Sequence, residues 1–153
     1  RGRMMRQAVN ELVMCSLSYG LREQDASGGG HSEVHLDTDE VSLRVSPKIL
    51  CAGCRQEISE SSAIAPVGGH PPRRVVSNPV GVLFEIVTVL DAWGVVLVGA
   101  ASSEFSWFEG THWTVVCCAS CGLHLGWHFE GESDVSPSSF FGLISKSILE
   151  AYE

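Results

Sequence analysis

Residues 104 to 129 read Glu-Phe-Ser-Trp-Phe-Glu-Gly-Thr-His-Trp-Thr-Val-Val-Cys-Cys-Ala-Ser-Cys-Gly-Leu-His-Leu-Gly-Trp-His-Phe. Trp107, Trp113, Trp127 and Phe129 bracket a Cys118-Ala-Ser-Cys121 pair, and a second pair, Cys51-Ala-Gly-Cys54, lies upstream. Zinc prefers tetrahedral thiolate coordination, and each CxxC turn presents two sulfurs to one ion, so Cys51, Cys54, Cys118 and Cys121 fit a single structural zinc site. Gly53 and Gly122 are expected to supply the permissive backbone that such turns need. A metal joining segments this far apart closes a large loop and can bring rings from different strands around one small volume. The stretch therefore predicts a metal-stapled aromatic cage.

A CxxC pair can also be a redox dithiol, but two pairs without a thioredoxin-like βαβ pattern favour structural metal. His112, His124 and His128 lie near the second knuckle and are alternative ligands. With four thiols available they read instead as surface or pocket-rim residues. Cys15 and Cys117 are left outside the two pairs. This cysteine usage points to a reducing cytoplasmic or nuclear compartment rather than to a secreted disulfide framework.

The chain of 153 residues suits one domain able to bury about 70% of the surface its unfolded form exposes. Its net charge of −8 and the absence of a Lys/Arg cluster beyond Arg73-Arg74 argue against nucleic acid, whose phosphates require a basic stripe. No apolar run is long enough for a membrane-spanning helix, and no membrane partner is expected. Residues 1–19, with Met5, Val9, Leu12 and Val13 at helical spacing, read as an amphipathic segment rather than a signal peptide. Residues 20–40, carrying Gly28-Gly29-Gly30 and many acids, read as a flexible linker. The zinc-binding domain is then residues 41–153. The first residue is Arg rather than Met, which suggests missing upstream sequence.

Within that domain the reading is mainly β. Val41–Val45, Val82–Leu90, Val95–Val98, His112–Cys117 and Leu123–Phe129 read as strands, with Asp91–Gly94 as a turn and residues 55–81 mostly as loop. At the C-terminal end, Ser136-Pro137 resembles a helix start, and Phe140, Ile144 and Ile148 follow at four-residue spacing. Periodicity favours helix there, whereas the β-rich context favours one helical turn followed by a strand.

On an extended strand Trp127 and Phe129 share one face while His128 takes the other, and Gly110 allows a tight loop that folds Trp107 toward Trp113. The plainer reading is that the rings are core, since tryptophan is usually buried. Small residues and glycines beside them (Ser106, Gly110, Gly126) are less typical of a packed aliphatic core.

The tract from Glu104 to Val116, Cys118-Ala-Ser-Cys121 and Gly126-Trp-His-Phe129 together resemble the CULT family of thalidomide-binding domains. Ile49-Leu-Cys-Ala-Gly-Cys54, Asn78-Pro-Val-Gly81, Thr88-Val89, Ser136-Pro137 and Phe141-Gly-Leu143 extend the resemblance over about residues 45 to 149. It implies a β-tent fold: two antiparallel sheets meeting near a structural zinc, as in methionine sulfoxide reductase B and Yippee-like proteins. It also implies a binding site for cyclic imides, either glutarimide rings of the thalidomide type or uracil-like rings. That site is formed by Asn78, Pro79, Phe105, Ser106, Trp107, Trp113 and Trp127, with Phe129 at its base. CH2 groups of the ligand would lie on indole faces, and its imide N–H and C=O would pair with backbone near Phe105 and Trp107. Cereblon-type members carry histidine at the positions of Phe105 and Val80, and a backbone acceptor at Phe105 survives that change.

The expected function is a non-enzymatic binding module for a small cyclic imide, or for a peptide terminus bearing one. The residues before the fold are too few for the Lon-like domain and adaptor-binding helices of a cereblon-type ubiquitin ligase, so ligase substrates become partners only where the chain belongs to a larger protein. A secreted stand-alone form is the other context the resemblance implies. Two alternatives differ in class. A methionine sulfoxide reductase needs a nucleophilic cysteine beyond the second knuckle, and none follows Cys121. A methyl-ammonium reader would use the same cage through cation–π contacts, with Glu104 and Glu109 assisting, although both acids read first as solvated loop charges.

Overall fold

A computed structural model describes residues 46–151. The expected segments 1–19 and 20–40 and the expected strand Val41–Val45 lie outside the described residues. Nine strands form here: β1 (Lys48–Cys51), β2 (Glu57–Glu60), β3 (Arg73–Ser77), β4 (Leu83–Val89), β5 (Val95–Ser102), β6 (Thr111–Cys118), β7 (His124–Gly131), β8 (Ser139–Ile144) and β9 (Ile148–Ala151). They make two sheets, a small one ordered β2-β1-β9 and a large one ordered β3-β4-β8-β7-β6-β5. Every strand pair is antiparallel. Among the described residues no helix is long and apolar enough to cross a membrane.

Two strands fall inside the stretch expected to be loop. β2 is short and polar, and β3 follows Pro71-Pro72 with two arginines, so neither shows the long apolar alternation that marks a strand in sequence. Both are edge strands, where charge and brevity protect exposed backbone from unwanted pairing.

Of the two readings of the C-terminal segment the helix is overturned. The strand favoured by the β-rich context is the nearer, although the helical turn follows that strand instead of preceding it. Ser139–Ile144 is strand β8, and a single 3-10 turn at Ser145–Ser147 follows it before β9. Residues four apart share a face in a strand as well as in a helix, so Phe140 and Ile144 satisfied both periods. β8 lies between β4 and β7 and buries both of its faces, which is why Phe-Phe-Gly-Leu-Ile lacks polar alternation.

The core divides by sheet face. Ile49, Cys51, Ile58 and Ile148 of the small sheet meet Val87, Val89, Val116, Cys118, Leu125 and Leu143 of the large one, filling the space between the sheets. The opposite face of the large sheet carries Val76, Ile86, Phe129 and Phe140, with Phe108 and the three tryptophans packed there. Strict alternation would place Leu125, Trp127 and Phe129 together. The register breaks at this point: Val116 pairs with Gly126 but Cys117 pairs with His124, leaving Leu125 unpaired as a bulge residue. The bulge sends Leu125 between the sheets and turns Trp127 and Phe129 outward.

Candidate functional site

The cysteine cluster lies where the two sheets join. Cys51 ends β1 and Cys118 ends β6, and the sulfurs of Cys51, Cys54, Cys118 and Cys121 all lie within 4.8 Å of one another. The two knuckles use the same backbone scheme. Arg55 N–H donates to Cys51 C=O and Gly122 N–H to Cys118 C=O, both at 2.9 Å, while Cys51 and Cys118 N–H donate to Gln56 and Leu123 C=O. The equivalent fifth positions, Arg55 (φ 65°) and Gly122 (φ 72°), are both left-handed. Gly122 thus acts as expected and Gly53 does not: its role is spatial, since a Cβ there would stand 3.3 Å from Cys121 Sγ. Ser120 Oγ donates to Gln56 Oε1 at 3.0 Å and ties one knuckle to the other.

The cluster could hold a metal ion. The Cys51–Cys121 and Cys54–Cys118 sulfur separations are both 3.6 Å, close to the edge of about 3.8 Å that a tetrahedron with metal–sulfur bonds of about 2.3 Å requires. Without a cation the thiols titrate unevenly. Burial pushes Cys121 up to about 12 and raises Cys54, whereas at Cys118 the upward effect of burial is outweighed by N–H donors of Cys121 and Ser120. Four thiolates at this spacing need a cation to coexist. His112, His124 and His128 are not members of the cluster.

On the outer face of the large sheet the expected rings converge. Trp107, in the β5–β6 loop, meets Trp127 of β7 edge to face at 4.7 Å between centroids, with Phe129 at 6.4 Å. Phe129 stacks on Phe140 at 5.1 Å and meets Phe108 edge-on at 4.8 Å, which gives the cluster a rigid floor. Trp113 of β6 shares this face through its pairing with Phe129. Its Nε1–H donates to Glu104 C=O at 2.9 Å, and Trp107 Nε1–H donates to Ser77 C=O at 2.8 Å. Both indole donors are thus consumed in orienting the rings. Among the described residues Phe105 C=O and Trp107 N–H make no hydrogen bond.

Asn78 builds the β3–β4 hairpin, with its Oδ1 accepting from Val80 and Val82 N–H at 3.2 and 2.8 Å. Pro79 sits exposed at the tip. Phe105 is 59% exposed with φ 57°, and Ser106 Oγ pairs with Thr111 Oγ1 at 2.7 Å, turned toward the loop interior.

Several neighbours were missed in the sequence. Phe84 stands 5.1 Å from Trp127, and its spacing from Ile86 along β4 was the available signal. Arg74 places its guanidinium 4.4 Å over Phe108 and donates to Trp107 C=O at 2.8 Å, bracing the loop. Burial lowers its pKa. His124, read from the sequence as a surface or pocket-rim residue and so not among those missed, meets Trp127 edge-on at 4.9 Å, and its Nε2 lies 3.1 Å from Gly126 C=O.

Burial lowers the pKa of both His124 and His128; Lys146 adds to the effect at the first, and Glu130 opposes it at the second. His128 Nε2 lies 3.2 Å from Ser139 Oγ while its buried Nδ1 has no partner. A depressed folded-state pKa means that the unfolded chain binds protons more readily. Stability is then complete above the unfolded value near ~6.5 and declines as pH falls through the lower folded value. His128→Gln is expected to flatten the fall in denaturation midpoint between about pH 7 and pH 5. Acid acts on the cysteine cluster equally in both proteins, so equal slopes would refute the assignment.

Two short antiparallel sheets joined at a four-cysteine cluster, with an indole cluster on the outer face, define the class of domain. No family model matches the chain. It is similar to protein cereblon of Gallus gallus, 36% identical over 103 residues, and to that of Xenopus tropicalis, 36% identical over 102 residues. These matches cover 66% and 65% of this chain and 23% of each relative. Protein cereblon of Drosophila virilis is 29% identical over 118 residues, covering 75% of this chain and 18% of that protein. Over about two thirds of its length the chain is a cereblon homologue, consistent with a CULT domain, and it spans less than a quarter of those relatives.

Proposed function

We propose that the domain is a non-enzymatic receptor of the cereblon type, which binds a neutral cyclic imide at the indole cluster and is held by structural zinc. The observation that carries this reading is the pairing of oriented indoles with unused backbone polarity. Trp107, Trp113 and Trp127 present apolar ring surface, the N–H groups of Trp107 and Trp113 are fixed to backbone carbonyls, and Phe105 C=O and Trp107 N–H stand free beside them. A glutarimide or uracil-like ring matches both features: CH or CH2 groups for indole faces, and an N–H and a C=O for backbone. The Trp107–Trp127 contact at 4.7 Å closes the space between those two rings. Binding therefore requires the Trp107 loop to lift, with Asn78 and Pro79 of the adjacent hairpin bordering the opening. A peptide terminus that carries such a ring, on a protein presented for ubiquitin transfer, is the macromolecular counterpart in a reducing cytoplasm or nucleus.

Titration with glutarimide is expected to change tryptophan fluorescence saturably. Trp107→Ala should weaken binding by more than about tenfold, since ring truncation at the centre of a site commonly costs above about 2 kcal/mol. Unaltered imide affinity in that variant, or a response only to a trimethyl-lysine peptide, would refute the reading.

A further inference from the structure

Cys117 points away from its neighbours in sequence. Val116 and Cys118 pack between the sheets, whereas Cys117 joins Val115, Val96, Val98, Trp113 and Trp127 on the outer face of the large sheet. There Cys117 is 1% exposed and Val115 4% exposed. All of these residues belong to β5, β6 and β7, which lie side by side. Neighbouring strands shield one another along their edges, while their outward faces are taken from water by a layer packed on them. Cys117 is moreover disulfide-bonded. Cys51, Cys54, Cys118 and Cys121 are free thiols, and the one other cysteine of the chain is Cys15. We infer that residues 1–19 supply the covering layer: their apolar stripe docks on the outer face of β5 and β6, and a Cys15–Cys117 disulfide pins it there.

Pattern and length both suit that occupant. Met5, Val9, Leu12 and Val13 recur at helical spacing, and Cys15 follows Leu12 by three residues, close to one turn further along the edge of the same stripe. Residues 16 to 45 separate Cys15 from the start of the described fold. A Gly-rich chain of about 30 residues has a root-mean-square span of about 30 Å. A domain of about 110 residues has a radius of gyration of about 13 Å, so the segment can reach the β5 edge from the beginning of β1. Val96 and Val98 offer an aliphatic surface there that complements an apolar stripe. Trp113 and Trp127 pack against this patch as well as against the aromatic floor, so the docked segment adjoins the indole cluster. The tether itself does not depend on the imide reading.

Closing the bridge joins Sγ of Cys15 to Sγ of Cys117 and releases two protons and two electrons. A low-molecular-weight disulfide such as oxidised glutathione accepts them as its own S–S bond breaks to give two thiols. A dithiol reverses the exchange, so in a reducing compartment the pair stands as thiols and the segment is released.

Non-reducing peptide mapping by mass spectrometry tests the bridge in the full chain, equilibrated with oxidised glutathione and alkylated before digestion. The peptide containing Cys15 is expected to be linked to the one containing Cys117 within a monomer, and Cys117→Ser is expected to lose that link. A link that persists in Cys117→Ser, a disulfide-bonded dimer, or Cys15 and Cys117 recovered as alkylated thiols or glutathione adducts would overturn the inference. Amide hydrogen exchange reads the docking separately. Amides of residues 5 to 17 are expected to exchange at least about tenfold more slowly in the oxidised chain than in Cys15→Ser, whose substitution lies outside the two sheets. Equal rates in the two proteins would overturn the docking even where the bridge forms. Glutarimide titrated separately by fluorescence distinguishes failure here from failure at the indole cluster.

Discussion

Removal of the zinc proposed for the four-cysteine cluster is expected to unfold the domain. The four thiols meet at the junction between a six-stranded sheet and a three-stranded sheet whose strands are each four residues long. Cys51 and Cys118 are themselves fully buried members of the core between those sheets. Structural zinc of this donor set contributes on the order of 10 kcal/mol, comparable to the whole stability of a domain this size. Loss of the cation also leaves thiols whose titration is spread apart, with Cys121 pushed up to about 12 by burial. Chelator treatment and Cys118→Ser should each abolish the cooperative thermal transition seen by circular dichroism, and native mass spectrometry of the untreated protein should show one bound zinc. An unchanged melting curve in a chelator-treated sample shown to be metal-free would defeat this account. Retention of the Trp107–Trp127 signal with loss of the small sheet alone would show that the large sheet stands without the staple.

The cysteine spacing and the order of the aromatic residues were legible because each is local: a CxxC turn is four residues long, and a strand puts Trp127 and Phe129 on one face by geometry. What escaped the sequence depends on partners far along the chain. β3 is recognisable as a strand only beside β4, where Val76 meets Phe84 and Arg74 meets Ile86. β8 looked helical because Phe140 and Ile144 satisfy both periods, and only burial between β4 and β7 decides between them. The aromatic floor of Phe108 and Phe140 was likewise invisible, being built by a loop and a strand more than thirty residues apart. In the first knuckle the left-handed residue is Arg55 rather than the neighbouring glycine, because its position in the turn, four after the first cysteine, sets the requirement.

Gly126→Ala is expected to be the most damaging single methyl addition in the large sheet. Gly126 adopts φ 149°, and a Cβ built there would lie 2.0 Å from the carbonyl oxygen of Gly142 and 3.0 Å from Leu143 Cα on the neighbouring strand. Neither obstacle is a side chain that can rotate away, so β7 and β8 must separate where they pair through Trp127 and Gly142. The same residue closes the bulge that ejects Leu125 into the inter-sheet core, so relief of the clash by regular pairing would put Trp127 and Phe129 on the wrong face. Destabilisation above about 4 kcal/mol is expected, in the range reserved for disrupted backbone geometry and core packing. Gly69→Ala provides the control. Gly69 also has a left-handed φ, 74°, but nothing lies within 4 Å of its added Cβ, so only the conformational cost of about 1 to 2 kcal/mol applies. Denaturant midpoints of the two variants measured side by side decide the matter. Equal losses would mean that the tight β7–β8 approach is not what demands glycine at position 126.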